Sequence, residues 1–138
     1  MYVLVNTLPP LSVLLECLLS GWSSLVLRSE GKVREEQADV LGVYRLVDSH
    51  QARPLYKQDG GENFIFFSPA PPSWVVGTVV GSQYGWLRNI SARAGEARWP
   101  GSLEQGWQYR DSLSATWRED DVTLRIQALP GIVLHRSQ

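Results

Sequence analysis

The sequence predicts an all-β fold: a seven- to eight-stranded antiparallel sandwich or barrel, preceded by an N-terminal apolar helix. Two observations carry this expectation. From Leu41 onward, short runs of β-branched and aromatic residues recur, broken every ~8–12 residues by turn formers, which is the spacing of strands in sandwiches and barrels. Several runs also alternate apolar and polar side chains, the period of a strand with one buried face. The 138 residues suffice for a single domain that buries its own core.

Residues 1–29 read as an apolar leader, in which Tyr2, Glu16 and Cys17 are the only ionisable side chains before Arg28. Three readings stay open. A secretory signal has the right apolar length and small-residue ends at Ser20-Gly21 or Ser23-Ser24, but lacks a positive n-region. A membrane anchor is near the minimum of ~17–20 apolar residues, yet Glu16 sits mid-span at a cost of ~2.5–3.5 kcal/mol. A packed amphipathic helix would start at Pro9-Pro10 and present Leu11, Leu14, Leu15, Leu18 and Leu19 to a partner. Residues 30–40 are charged and read as a linker or a short exposed helical turn.

Residues 41–129 form the expected β-rich module, with strands at 41–47, 53–58, 62–68, 73–80, 84–90, 106–110, 114–119 and 122–129. Residues 91–105 form a longer loop and 130–138 a tail. Asp59-Gly60-Gly61 closes a hairpin, because glycine supplies the positive φ angles. Strand 62–68 is apolar on both faces, Phe64 and Phe66 against Ile65 and Phe67, and so reads as a central strand covered on both sides. Trp107 shares a face with Tyr109, and Trp117 with Ala115, so both tryptophans read as core. In the last strand Val122, Leu124 and Ile126 alternate with Thr123, Arg125 and Gln127.

The order of motifs resembles a module found in many animal proteins, often extracellular and multidomain. Its pattern runs G-x-Y, N-G-R-P-x-Y, an aromatic strand ending in Ser, W-x-V/I-G, a glycine-flanked segment ending R/K-N, W-x-Y, and W-x-x-D-x-x-L. The matching residues are Gly42-Val43-Tyr44, Arg53 to Lys57, Phe64 to Ser68, Trp74 to Gly77, Gly81 to Asn89, Trp107-Gln108-Tyr109, and Trp117 through Asp120 to Leu124. The match covers roughly 90 residues, from Leu41 to Gln127, and leaves the leader outside. Gln51-Ala52 stands where the pattern has Asn-Gly, so the turn before Arg53 need not be a tight type I′ turn. The pattern's frequent cysteine near the W-x-Y loop is also missing, with Ala97 or Arg98 in that neighbourhood. The resemblance implies an accessory or recognition module without enzymatic activity, and it carries over no functional residue.

Composition narrows the function classes. A net charge of -1 gives no basic face for nucleic acid. The single cysteine excludes an intrachain disulfide framework. Asp48-Ser49-His50 contains triad residue types, but neighbouring residues point in different directions, and it reads as a polar turn. Glu119-Asp120-Asp121, with Glu104 or Asp111, carries oxygen ligands of the calcium type, yet reads as a solvated turn; no metal and no cofactor is assigned. Asn89-Ile90-Ser91 is a glycosylation sequon in a secreted chain.

The aromatics are the remaining candidates, since Trp and Tyr present large rigid faces to sugars or peptides. Tyr84 and Trp86 alternate on one expected strand, and Trp99 lies in a loop where no strand needs it. Arg88 and Arg98 stand beside them. The expectation is a non-enzymatic recognition module for carbohydrate or protein, secreted or at the cell surface, using Trp86, Tyr84, Trp99, Arg88 and Arg98. The alternative is a cytoplasmic protein-interaction subunit whose N-terminal helix docks on a partner. Membrane association follows only if the leader is retained as an anchor.

Overall fold

The computed structural model describes residues 23–90, 94–100, 103, 106–111 and 113–126. Nine strands appear: Ser24–Arg28 (β1), Gly42–His50 (β2), Arg53–Gln58 (β3), Phe64–Pro69 (β4), Pro72–Gly77 (β5), Leu87–Asn89 (β6), Trp107–Arg110 (β7), Trp117–Glu119 (β8) and Thr123–Ile126 (β9). A short helix, Lys32–Glu36 (α1), and a 3₁₀ turn, Ala38–Val40, join β1 to β2. All nine strands lie in one antiparallel half-barrel sheet of order β8-β7-β6-β5-β4-β3-β2-β1-β9. Among the described residues there is this one sheet and not the pair of a sandwich. Each strand from β1 to β7 pairs with the next in sequence, and β9 returns to the free side of β1.

The main departure from the sequence reading is β1. Residues 24–28 belong to the expected leader, yet they are a full member of the sheet, with Leu25 and Leu27 buried. Between Ser23-Ser24 and Ser29 only Leu25, Val26, Leu27 and Arg28 remain, too few residues for a period to distinguish a strand from the end of the apolar leader. The expected N-terminal helix has no support here, since residues 1–22 lie outside the described residues. The charged segment 30–40 takes the helical alternative and is built into the domain through buried Val33 and Val40.

The first turn of α1 is capped from a distance. Its N-cap, Gly31, has no side chain to offer, and the Asp120 carboxylate supplies the acceptor to Lys32 N (2.9 Å) and Val33 N (3.3 Å). A Cβ on Gly31 would collide with Asp120 Oδ1, so the absent side chain is what admits the cap. Ser29 Oγ also donates to Asp120 (2.6 Å). These bonds tie the β8–β9 turn to the segment that follows β1.

The inner face of the sheet carries the main core, built around Trp74, Trp107, Tyr44 and Tyr56. A smaller cluster, Leu55, Phe66, Val75 and Val80, covers part of the outer face. Strand β4 is therefore buried on both sides, as its two apolar faces predict. Segment 78–86 leaves the sheet to lay Val80 on that outer cluster. It returns where Gly85 meets Val75 and Val76, at a spot that has no room for a Cβ, and Trp86 N donates to Val76 O (2.7 Å). The expected strands 73–80 and 84–90 accordingly shorten to 72–77 and 87–89.

The hairpin joining β2 and β3 also departs from expectation. Its two central residues, Gln51 and Ala52, have φ of 54° and 60°, between the paired residues His50 and Arg53. Both positive angles match a tight two-residue type I′ turn. The turn geometry of the Asn-Gly pattern persists here without Asn or Gly.

Candidate functional site

Strands β6, β7 and β8 divide their side chains cleanly. Leu87, Asn89, Trp107 and Tyr109 are buried on the inner face. Arg88, Gln108 and Glu119 lie in one cross-strand row on the other face, and Arg110 pairs with Trp117 in the next. The backbone there is saturated, with β6 and β7 each paired on both sides, so this surface acts through its side chains.

Arg88 is held by two contacts on the outer face. Its Cζ lies 4.2 Å from the Trp117 ring centroid, and its Nε donates to Gln108 Oε1 at 2.8 Å. Stacking on an indole and a bond to a neighbouring strand hold the guanidinium in one plane. Desolvation in this half-buried setting lowers its pKa from the usual arginine range. Trp86 precedes β6 on the same side, 42% exposed, and Arg110 N donates to its carbonyl (2.9 Å). Two residues earlier, Tyr84 is 82% exposed.

The rim is formed by the turn from Asp111 to Thr116. The Asp111 carboxylate accepts from Leu113 N (2.8 Å) and Ser114 N (3.3 Å) and pairs with Arg118 Nε (2.9 Å). Those two backbone N–H groups, and then Arg118, hold its pKa below the usual carboxylate range. The turn carries Leu113 outward, 93% exposed.

The five residues expected from sequence do not form one surface. Tyr84 and Trp86 flank Gly85, which meets Val75 and Val76, and Arg88 follows on β6 in register with Val75. Arg98 and Trp99 belong to segment 94–100, which closes the inner face beside Pro72 and Trp74. The sheet itself separates the two groups, since Arg88 is in register with Val75 on the outer face while Trp74 Nε1 donates to Ala97 O on the inner one. Arg53 anchors that second segment through Gly95 O (2.8 Å) and Ala97 O (3.1 Å), with its guanidinium 3.7 Å from the Phe67 ring centroid. Arg98 is exposed and Trp99 half-buried there.

Other candidate chemistry is absorbed by the fold. Asn89 is 0% exposed between Trp74 and Trp107, so the folded chain offers no acceptor amide at the sequon. In Asp48-Ser49-His50 the Asp48 carboxylate accepts from Ser49 N (2.7 Å), and His50 packs edge-on against Phe66, where burial lowers its pKa. Asp121 and Asp120 serve as acceptors for Glu30 N and for Ser29 and α1. Among the described residues no group of three His, Cys, Asp or Glu is placed to hold a metal ion, and no helix is long and apolar enough to cross a membrane.

Three members of the outer surface were missed by the sequence reading: Gln108, Arg110 and Trp117. Gln108 and Arg110 were legible, because they alternate with Trp107 and Tyr109. Trp117 was expected in the core beside Ala115, but it is half-buried on the outer face beneath Arg88. A tryptophan's face depends on what crosses it from another strand, and no local pattern records that. No family model matches the chain, and neither does any curated protein or solved structure.

Proposed function

We propose that this protein is a non-enzymatic recognition module that binds a carbohydrate or protein ligand on the outer face of β6–β8, in a secreted or cell-surface setting. The observation that supports it most is the exposed Trp86 and Tyr84 beside an arginine fixed on Trp117. Rigid aromatic faces next to an oriented polar donor are the usual components of a recognition surface. Cleavage of the leader at Ser20-Gly21 or Ser23-Ser24 would leave β1 whole, which is compatible with export.

The test uses the intact chain and the double variant Tyr84→Ala/Trp86→Ala. Tryptophan fluorescence titrated over a glycan panel should respond in the native chain and lose that response in the variant, with the thermal midpoint preserved. An equal response in the variant would place recognition elsewhere. Expression in a secretory system, followed by N-terminal sequencing, checks the compartment. An uncleaved chain retained inside cells would favour the alternative, an intracellular protein-interaction subunit.

A further inference from the structure

The outer face of β6–β8 is unevenly charged. Arg88 spends only its Nε proton within the protein, leaving both Nη groups without a protein acceptor among the described residues. Arg110, beside it on β7, makes no side-chain bond there either, although its backbone carbonyl accepts from Gln37 Nε2. Three arginines of the domain have carboxylate partners: Arg34 with Glu30, Arg45 with Asp59 and Arg118 with Asp111. Glu119 shares the outward row but is in register with Gln108, two strands from Arg88, and pairs with neither arginine. Two cations therefore face solvent against one carboxylate, next to the exposed Trp86 ring.

We propose that this surface takes an acidic oligosaccharide, with Arg88 and Arg110 holding the carboxylate or sulfate of a sugar whose ring packs on Trp86. This inference rests on the recognition reading above and names its ligand class. A guanidinium presents paired N–H donors in the fork that oxyanions accept bidentately. For Arg88 the fork is preset, since Trp117 fixes its plane and Gln108 its rotation. Trp86 and Arg88 are two residues apart on one face, about 7 Å, so ring and anionic group fit within one sugar unit. An acidic peptide suits the surface less well, because the paired backbones of β6 and β7 offer it no ladder to extend.

The test is calorimetric titration of the intact chain with four probes: hyaluronan, heparin and chitin hexasaccharides and hexaglutamate. Hyaluronan separates carboxylate from sulfate, chitin supplies the neutral sugar, and hexaglutamate supplies charge without a ring. At least one acidic sugar should bind, with chitin and hexaglutamate weaker by about tenfold or more, the scale of a charge-assisted bond. Arg88→Gln should lose about tenfold with its thermal midpoint unchanged, and Arg88→Lys should recover only part, since lysine keeps charge but not the fork. Equal binding of chitin would overturn the anionic inference while leaving the recognition reading intact. Hexaglutamate binding as well as the sugars would transfer the site to acidic peptides. If no probe binds, the acidic-sugar inference is wrong, and the recognition reading then depends on the Tyr84→Ala/Trp86→Ala comparison.

Discussion

The β2–β3 turn holds two non-glycine residues in left-handed geometry, and relieving it should stabilise the protein. Gln51 and Ala52 have φ of 54° and 60°. For an L-residue that region costs about 1–2 kcal/mol, and glycine removes the cost. Glycine also loosens the unfolded chain, which takes back about 0.4–1 kcal/mol. Ala52→Gly should therefore gain roughly 0.5–1 kcal/mol. Gln51→Asn adds a smaller gain, because asparagine tolerates the region better. In a domain of this size the pair should raise the thermal midpoint by about 3–5 °C. Circular dichroism melts and guanidinium titrations, with the slope unchanged, would measure it. Ala115, at φ 57°, should respond to glycine in the same direction. A lower midpoint for Ala52→Gly would show that the Ala52 methyl makes contacts worth more than the strain, and the turn argument would fail.

Two further outcomes follow from the packing. Asp120→Ala removes the acceptor of Ser29 Oγ, Lys32 N and Val33 N, and should cost about 2 kcal/mol in guanidinium unfolding, with Asp120→Asn intermediate; no loss would mean that water replaces the cap. Tyr44 is buried with its hydroxyl on Val40 O (2.5 Å), and desolvation raises its pKa above the ordinary tyrosine value of 10.0. A raised folded pKa means that the folded state holds the proton longer, so the contribution of Tyr44 to stability should be constant below about pH 10 and fall above it. Tyr44→Phe should be less stable at neutral pH by about 1 kcal/mol, but lose less on going alkaline; parallel pH profiles for the two proteins would refute the assignment.

Local chemistry made much of the fold legible. Period-two alternation identified Phe64, Ile65, Phe66 and Phe67 as a strand covered on both sides, and it separated Trp107 and Tyr109 from Gln108 and Arg110. Turn formers located the breaks between β2 and β5 to within a few residues. The β1 strand escaped because the small residues before it, Ser20-Gly21 and Ser23-Ser24, read equally well as the end of a leader, and the strand is too short to show a period. Segment 78–86 escaped because its valines read as strand while Gly85 obeys a contact with Val75 and Val76.

What the sequence determined by itself was the all-β class, the two covered faces of β4 and the inward side of Trp107 and Tyr109, since alternation is a property of the backbone alone. Tertiary structure decided that the strands form one sheet rather than two, because strand partners are chosen by chain return and not by composition. It also decided how the candidate residues are grouped. Sequence placed Trp86, Tyr84, Arg88, Arg98 and Trp99 together by residue type, and the sheet puts Arg88 on its outer face and segment 94–100 on its inner one. The arrangement of Arg88 on Trp117 joins residues 29 positions apart, a contact that exists only once β6, β7 and β8 are side by side.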